Sequence, residues 1–91
     1  MSETIVLQPR LDLAAAAPLA QTLRSRLGSD MTLDAKEVTH MGALCLQVML
    51  SAALTVNKAG HRFTLSNASD RVLDQLHHLG FTPESLAEGR P

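Results

Sequence analysis

The amino-acid sequence predicts one small α/β domain, with helices packed on a sheet that contains parallel neighbours. Three observations carry that expectation. Short β-branched or alternating runs at 4–7, 31–34 and 61–65 are interleaved with longer runs whose apolar residues recur at helical spacing. Each helical run meets a glycine, Gly28, Gly60 or Gly80, as helix C-termini commonly do. The 91 residues, 45% of them hydrophobic, supply a single modest core and no second one, so residues 1–91 form one domain. Strands joined through helices return in the same direction by right-handed crossovers, which makes the sheet at least partly parallel.

Thr4 to Leu7 reads as a short strand stopped by Pro9, whose missing N–H confines it to a sheet edge. Asp12 is placed to cap a first helix, in which Ala16, Leu19, Ala20, Leu23 and Leu27 form the apolar stripe before Gly28. Pro18 is tolerated only in a first turn, so regular helix begins near Ala15 or later. Ala14 to Ala17 is helix-forming and carries no further signal. Met31 to Asp34 alternates as a strand, and Val38 to Met41 leads through a turn into a second helix over 43–59, ended by Gly60. His61 to Leu65 alternates again, with Phe63 and Leu65 on one face and Arg62 and Thr64 on the other. Ser66 and Asn67 offer caps for a third helix striped by Val72, Leu73, Leu76 and Leu79 and closed by Gly80. Thr82, Pro83 and Glu84 read as the cap and first turn of a short fourth helix, with a frayed tail after Glu88.

Composition excludes several function classes. Eight Lys and Arg against nine Asp and Glu give a net charge of -1, without the basic footprint that neutralises nucleic-acid phosphates. The single cysteine, Cys45, allows no intrachain disulfide, and Met1 to Thr4 lacks the pattern of a secretion signal, so a reducing, cytoplasmic setting is expected. Polar residues such as Gln47, Ser51, Thr55 and Asn57 interrupt every apolar run well short of the roughly 20 residues that span a bilayer. Only two aromatic residues are present, both Phe, so the core is aliphatic and no Trp or Tyr anchors a ligand.

The four histidines, His40, His61, His77 and His78, do not form a metal motif. The adjacent pair points about 100° apart on a helix, where exposure and the C-terminal dipole account for it. No nucleophile elbow, phosphate-cradling glycine loop or catalytic cysteine signature occurs, and no enzyme activity or cofactor is expected. Cys45, in an apolar helical run, reads as a small core hydrophobe.

The segment Leu33 Asp34 Ala35 Lys36 Glu37 Val38 Thr39 His40 Met41, followed by Gly42 Ala43 Leu44 Cys45 Leu46, resembles the centre of STAS domains, the family of anti-sigma factor antagonists. There a strand ending in Leu-Asp precedes a loop and an Asp-Ser-Ser-Gly-Leu type motif that opens a helix. Leu11 and Asp12 before the alanine-rich helix, the strand from Gly60 to Leu65, and Val72, Leu73, Leu76, Leu79, Gly80 and Phe81 resemble the family in the same order. The resemblance implies a STAS-like small mixed sheet with helices packed on it, and a non-enzymatic regulatory module that binds another protein. Aligned without gaps, Gly42 stands for the family's Asp, Ala43 and Leu44 for its two hydroxyl residues, and Cys45 for its Gly. The phosphorylatable Ser or Thr is therefore absent, with Ser51, two turns further on, as the displaced acceptor to examine.

The resemblance implies an adaptor in bacterial signalling, of chemotaxis, two-component or sigma-factor type, whose partner is kinase-like, a receptor or a regulator. It also allows two alternatives, a cytoplasmic subunit of a phospholipid-transport ABC system, membrane-associated through its partner, and a small-ligand or nucleotide-binding domain. Taken at about 100° per residue, the second helix turns Leu46, Met49, Leu50 and Ala53 toward the sheet. Leu44, Val48, Ser51 and Thr55 then form an outward strip, the expected partner-binding surface.

Overall fold

The computed structural model describes residues 3–90, and the expected absence of a leader at Met1 and Ser2 lies outside them. Three strands, β1 (Glu3–Val6), β3 (Met31–Asp34) and β5 (Phe63–Ser66), pair in the order β1-β3-β5, parallel throughout. Alternation sorts the sheet into two faces. Met31, Leu33, Phe63 and Leu65 are buried on one, with Ile5 packed against them. Thr4, Thr32 and Thr64 line up across the other, in register and facing outward. Parallel sheets usually bury both faces, so a row of threonines on the open side is the composition that a half-exposed parallel sheet requires.

Two pairs of residues missed by periodicity form a second ribbon. β2 (Arg10–Leu11) and β4 (His40–Met41) run parallel, each too short to show an alternation. Between β2 and β3 the chain makes a 3-10 turn at Leu13–Ala15 and then α1 (Ala16–Arg24). The helix thus starts where Pro18 allows, in its first turn, but it ends at Arg24 and reaches Gly28 through turns. Asp12 precedes the turn without a side-chain cap bond, and its backbone carbonyl does the bonding.

The second helix, α2 (Ala43–Lys58), matches its expected span closely, and Gly60 follows at φ 84°, a left-handed conformation that glycine adopts without strain. Cys45, Leu46, Met49, Ala52, Ala53 and Val56 are buried, while Leu50 is half-buried. α3 (Asp70–His78) is capped by Ser69, whose hydroxyl accepts from the Val72 amide, rather than by Ser66 or Asn67. Its stripe is narrower than expected: Val72 and Leu76 are buried, and Leu73 and Leu79 are 36% and 38% exposed. α4 (Pro83–Glu88) has the predicted Thr82 cap, reinforced by Ser85, whose hydroxyl accepts from the Thr82 amide at 2.9 Å. The tail does not fray at Glu88; Gly89 turns at φ 79° and Arg90 N–H bonds back to the Ser85 carbonyl.

α1, α2 and α4 cover the apolar face of the sheet, with α1 against α2 and α4 against both α2 and β5; α3 packs on β4. One carboxylate is drawn into the frame. Asp34, 9% exposed at the end of β3, accepts from the Asn67 amide at 3.1 Å and the Lys36 backbone N–H at 3.0 Å. Asn67, left-handed at φ 59°, thereby ties the end of β5 to that of β3.

These bonds, Asn67 first and the Lys36 amide next, hold the Asp34 carboxyl below its ordinary value of 3.8. Because the folded carboxyl titrates below the unfolded one, its stabilisation is complete above the ordinary range and is lost as pH falls through the folded value. Asn67→Gly keeps the left-handed backbone and removes the principal partner. Urea unfolding at about pH 7 and about pH 3 is expected to show a smaller acid loss of stability in this variant than in the parent. Equal losses would mean that Asp34 does not carry the acid sensitivity.

Candidate functional site

The opening of α2 is where the two-residue ribbon delivers the chain to the surface. Pairing of Leu11 with Met41 places the Leu11 carbonyl against Gly42, whose N–H donates to it at 2.9 Å. A Cβ on Gly42 would stand 2.8 Å from that oxygen and 3.9 Å from the Asp12 Cα. The position is therefore closed to a side chain by backbone proximity, since φ is an ordinary -86°. Without a side chain at the cap, α2 opens with no side-chain hydrogen bond to its first amides.

The next three residues divide by direction. Ala43 and Leu44 point outward, Leu44 being 44% exposed, and neither carries a hydroxyl. Cys45 is fully buried and donates its S–H to the Asp12 carbonyl at 3.3 Å. Burial, and after it the charge of Asp12, pushes the thiol above its ordinary value, which keeps it protonated and unreactive. On the other side, the Gln75 side chain of α3 accepts from the Met41 amide and anchors β4.

Of the strip read from the sequence, Leu44, Ser51 and Thr55 are exposed on α2. Val48 departs from that picture. It is half-buried, packed against the core, and lines a groove of about 290 Å³ between α1 and α2 whose other walls include Ala20, Leu23 and Leu27. The helical wheel of α2 alone does not locate α1, which covers one flank of the strip. A further apolar residue joins the surface unannounced by periodicity: Leu13, in the 3-10 turn that contacts α2, is 77% exposed. Its one sequence signal was a leucine outside the stripe of the first helix.

Of the four histidines, His40 and His78 border a common concavity. His40 sits on β4, His61 lies 3.7 Å from Asp30 before β5, and His77 and His78 are exposed at the end of α3. Among the described residues no group of three His, Cys, Asp or Glu could hold a metal ion, and no helix is long and apolar enough to cross a membrane. A shallow concavity between β4 and α3, lined by Met41, Ala43 and Leu79 with His40 and His78, borders the α2 opening at Gly42 and Ala43.

A family model described as "Mlab, STAS domain" matches residues 2–86. The crystal structure of a sulfate transporter family protein from Wolinella succinogenes superposes with a TM-score of 0.78 at 23% identity, over 98% of this chain and 74% of that one. At that identity the likeness shows the fold alone. No curated protein matches in sequence.

The contact at Gly42 is testable. Gly42→Ala is expected to cost about 1–3 kcal/mol in urea unfolding, because the Leu11 backbone must yield to the new methyl. Gly28→Ala, where a Cβ meets nothing within 4 Å, is expected within about 0.5 kcal/mol of the parent. Equal effects at the two glycines would show that close approach does not dictate Gly42.

Proposed function

This chain belongs to the STAS domain family, and we propose that it serves as a non-enzymatic docking module that binds another protein through the opening of α2 without a phosphorylation switch. The observation that supports this reading is the exposed Leu44 in place of a hydroxyl, next to a Gly42 that cannot carry a side chain and a Cys45 that is buried. A phosphate there would add negative charge beside the partner surface and weaken docking. An aliphatic residue keeps the surface attractive at all times. Leu13 and Leu44 supply the apolar contact, and Ser51 and Thr55 the polar border. The partner on this reading is a kinase-like protein, receptor or regulator of bacterial signalling, and the setting is cytoplasmic.

The match to a family model of Mlab type, and the likeness in fold to a sulfate transporter family protein, favour a second reading. In it the chain braces a transport assembly, as a cytoplasmic subunit of phospholipid-transport ABC type. Affinity purification from the native host separates the two, since a kinase or receptor supports the first and a permease with its ATPase the second.

Leu44→Asp tests the surface with the partner so obtained. Thermal and urea unfolding are expected to change by about 1 kcal/mol or less, as for most surface substitutions. Binding is expected to fall at least about tenfold, or about 1.4 kcal/mol. Val48→Glu is a poor companion, because it would place a charge at a half-buried position. Unchanged binding by a folded Leu44→Asp variant would remove the α2 opening from consideration. Mass spectrometry of protein from cells is expected to find no stoichiometric phosphate over residues 39–51, Ser51 included.

A further inference from the structure

Resting on the docking reading above, we infer that the groove between α1 and α2 takes an amphipathic helix of a partner protein whose acidic residues lie toward the C-terminal ends of α1 and α2. Charge distribution is the first support. No Asp or Glu occurs between Leu13 and Ser29, nor between Val38 and Ser69, so both helices of the groove are free of acid in a chain whose net charge is -1. Arg24 lines the groove and closes α1; Lys58 closes α2. Neither makes an ion pair among the described residues. The two helix C-termini offset roughly half a charge each, so Arg24 and Lys58 retain about one positive charge between them, while Asp30, beyond the end of α2, accepts from the Arg62 amide at 2.9 Å.

Shape is the second support. Both helices follow a strand of one parallel ribbon and lead into a strand of one parallel sheet, so they run in the same direction. The lining residues run from Ala20 to Leu27 on one wall and from Val48 to Thr55 on the other. On α2, Val48 to Thr55 is two helical turns, about 11 Å, the span of two turns of a helix laid alongside; the facing wall is the last turn of α1 and the turns that follow it. Ala20 and Ala52 keep the walls low, Leu23 and Val48 are apolar, and Leu13 and Leu44 extend the apolar surface at the end away from Arg24 and Lys58, where Arg10 and Asp12 pair with each other. A helix seated in such a groove is held by apolar residues at i, i+3 and i+4 and oriented by charge at one end. A flat anionic bilayer would leave the concavity unfilled, with Ser51 and Thr55 at its border, and is the less suitable occupant.

The probe is a display library of random amphipathic helical peptides selected on the folded protein. Enriched peptides are expected to carry apolar residues at helical spacing with Asp or Glu gathered at one end. In NMR titrations they should move the amides of Ala20, Leu23, Ser51 and Thr55. Their affinity should fall with added salt, and at least about tenfold with Arg24→Glu and Lys58→Glu combined, two exposed positions at which the fold should persist. Peptides that map to the groove but are neutral or basic would overturn the charge inference and leave the docking reading standing. Peptides that map to the concavity between β4 and α3 would overturn both. Failure to enrich any peptide would overturn the inference. So would binding only to phosphatidylglycerol-containing vesicles, abolished by the same charge reversals, which would assign the basic end to a membrane.

Discussion

Four residues of backbone pairing decide where this molecule presents its surface. Arg10–Leu11 against His40–Met41 brings the Leu11 carbonyl to the amide of Gly42 and the Asp12 carbonyl to the thiol of Cys45. The same ribbon sets the starts of α1 and α2 side by side. With both helix origins fixed by one pair of strands, the two helices descend together onto the three-stranded sheet, and the groove between them follows. Gly42 is the most constrained point in this arrangement, because a neighbouring main chain occupies the volume that a side chain would need.

The core beneath is aliphatic and one-sided. Met31, Met49, Leu33, Leu76 and Leu86 are fully buried with Phe63, and burial of each such side chain contributes about 1.5–3 kcal/mol. Since the helices cover a single face, the outer face of the sheet falls to threonines, whose β-branched stems suit the strand while their hydroxyls meet water. Asp34 is the polar exception inside the frame. Its hydrogen bonds to Asn67 and to the Lys36 amide join the ends of β3 and β5.

Chemistry at the α2 opening is defined by subtraction. The positions that would offer an acid, two hydroxyls and a small residue hold a glycine, an alanine, a leucine and a buried cysteine. What remains is surface: Leu44 and Leu13 in water, a shallow groove, and two cations with no acid on either helix. The thiol of Cys45 lies beneath that surface, buried and held protonated.

Local signals determined much of the protein. Spacing of Ala43 to Lys58 and the Gly60 stop marked α2, Thr82 before Pro83 marked α4, and the order of short motifs pointed to the family that the match over residues 2–86 shows. Each of these depends on residues within a few positions of one another, so sequence alone carries it. The two-residue strands β2 and β4 were invisible, because a pair has no period and its partner lies 30 residues away. The Ser69 cap is local, a choice among three neighbouring cap candidates, whereas the exposure of Leu73 and Leu79 depends on which elements cover α3. Val48 shows the difference most plainly. Its place on the helical wheel was legible, but whether that side of α2 meets water or α1 depends on the crossing of two helices that only the parallel ribbon brings together.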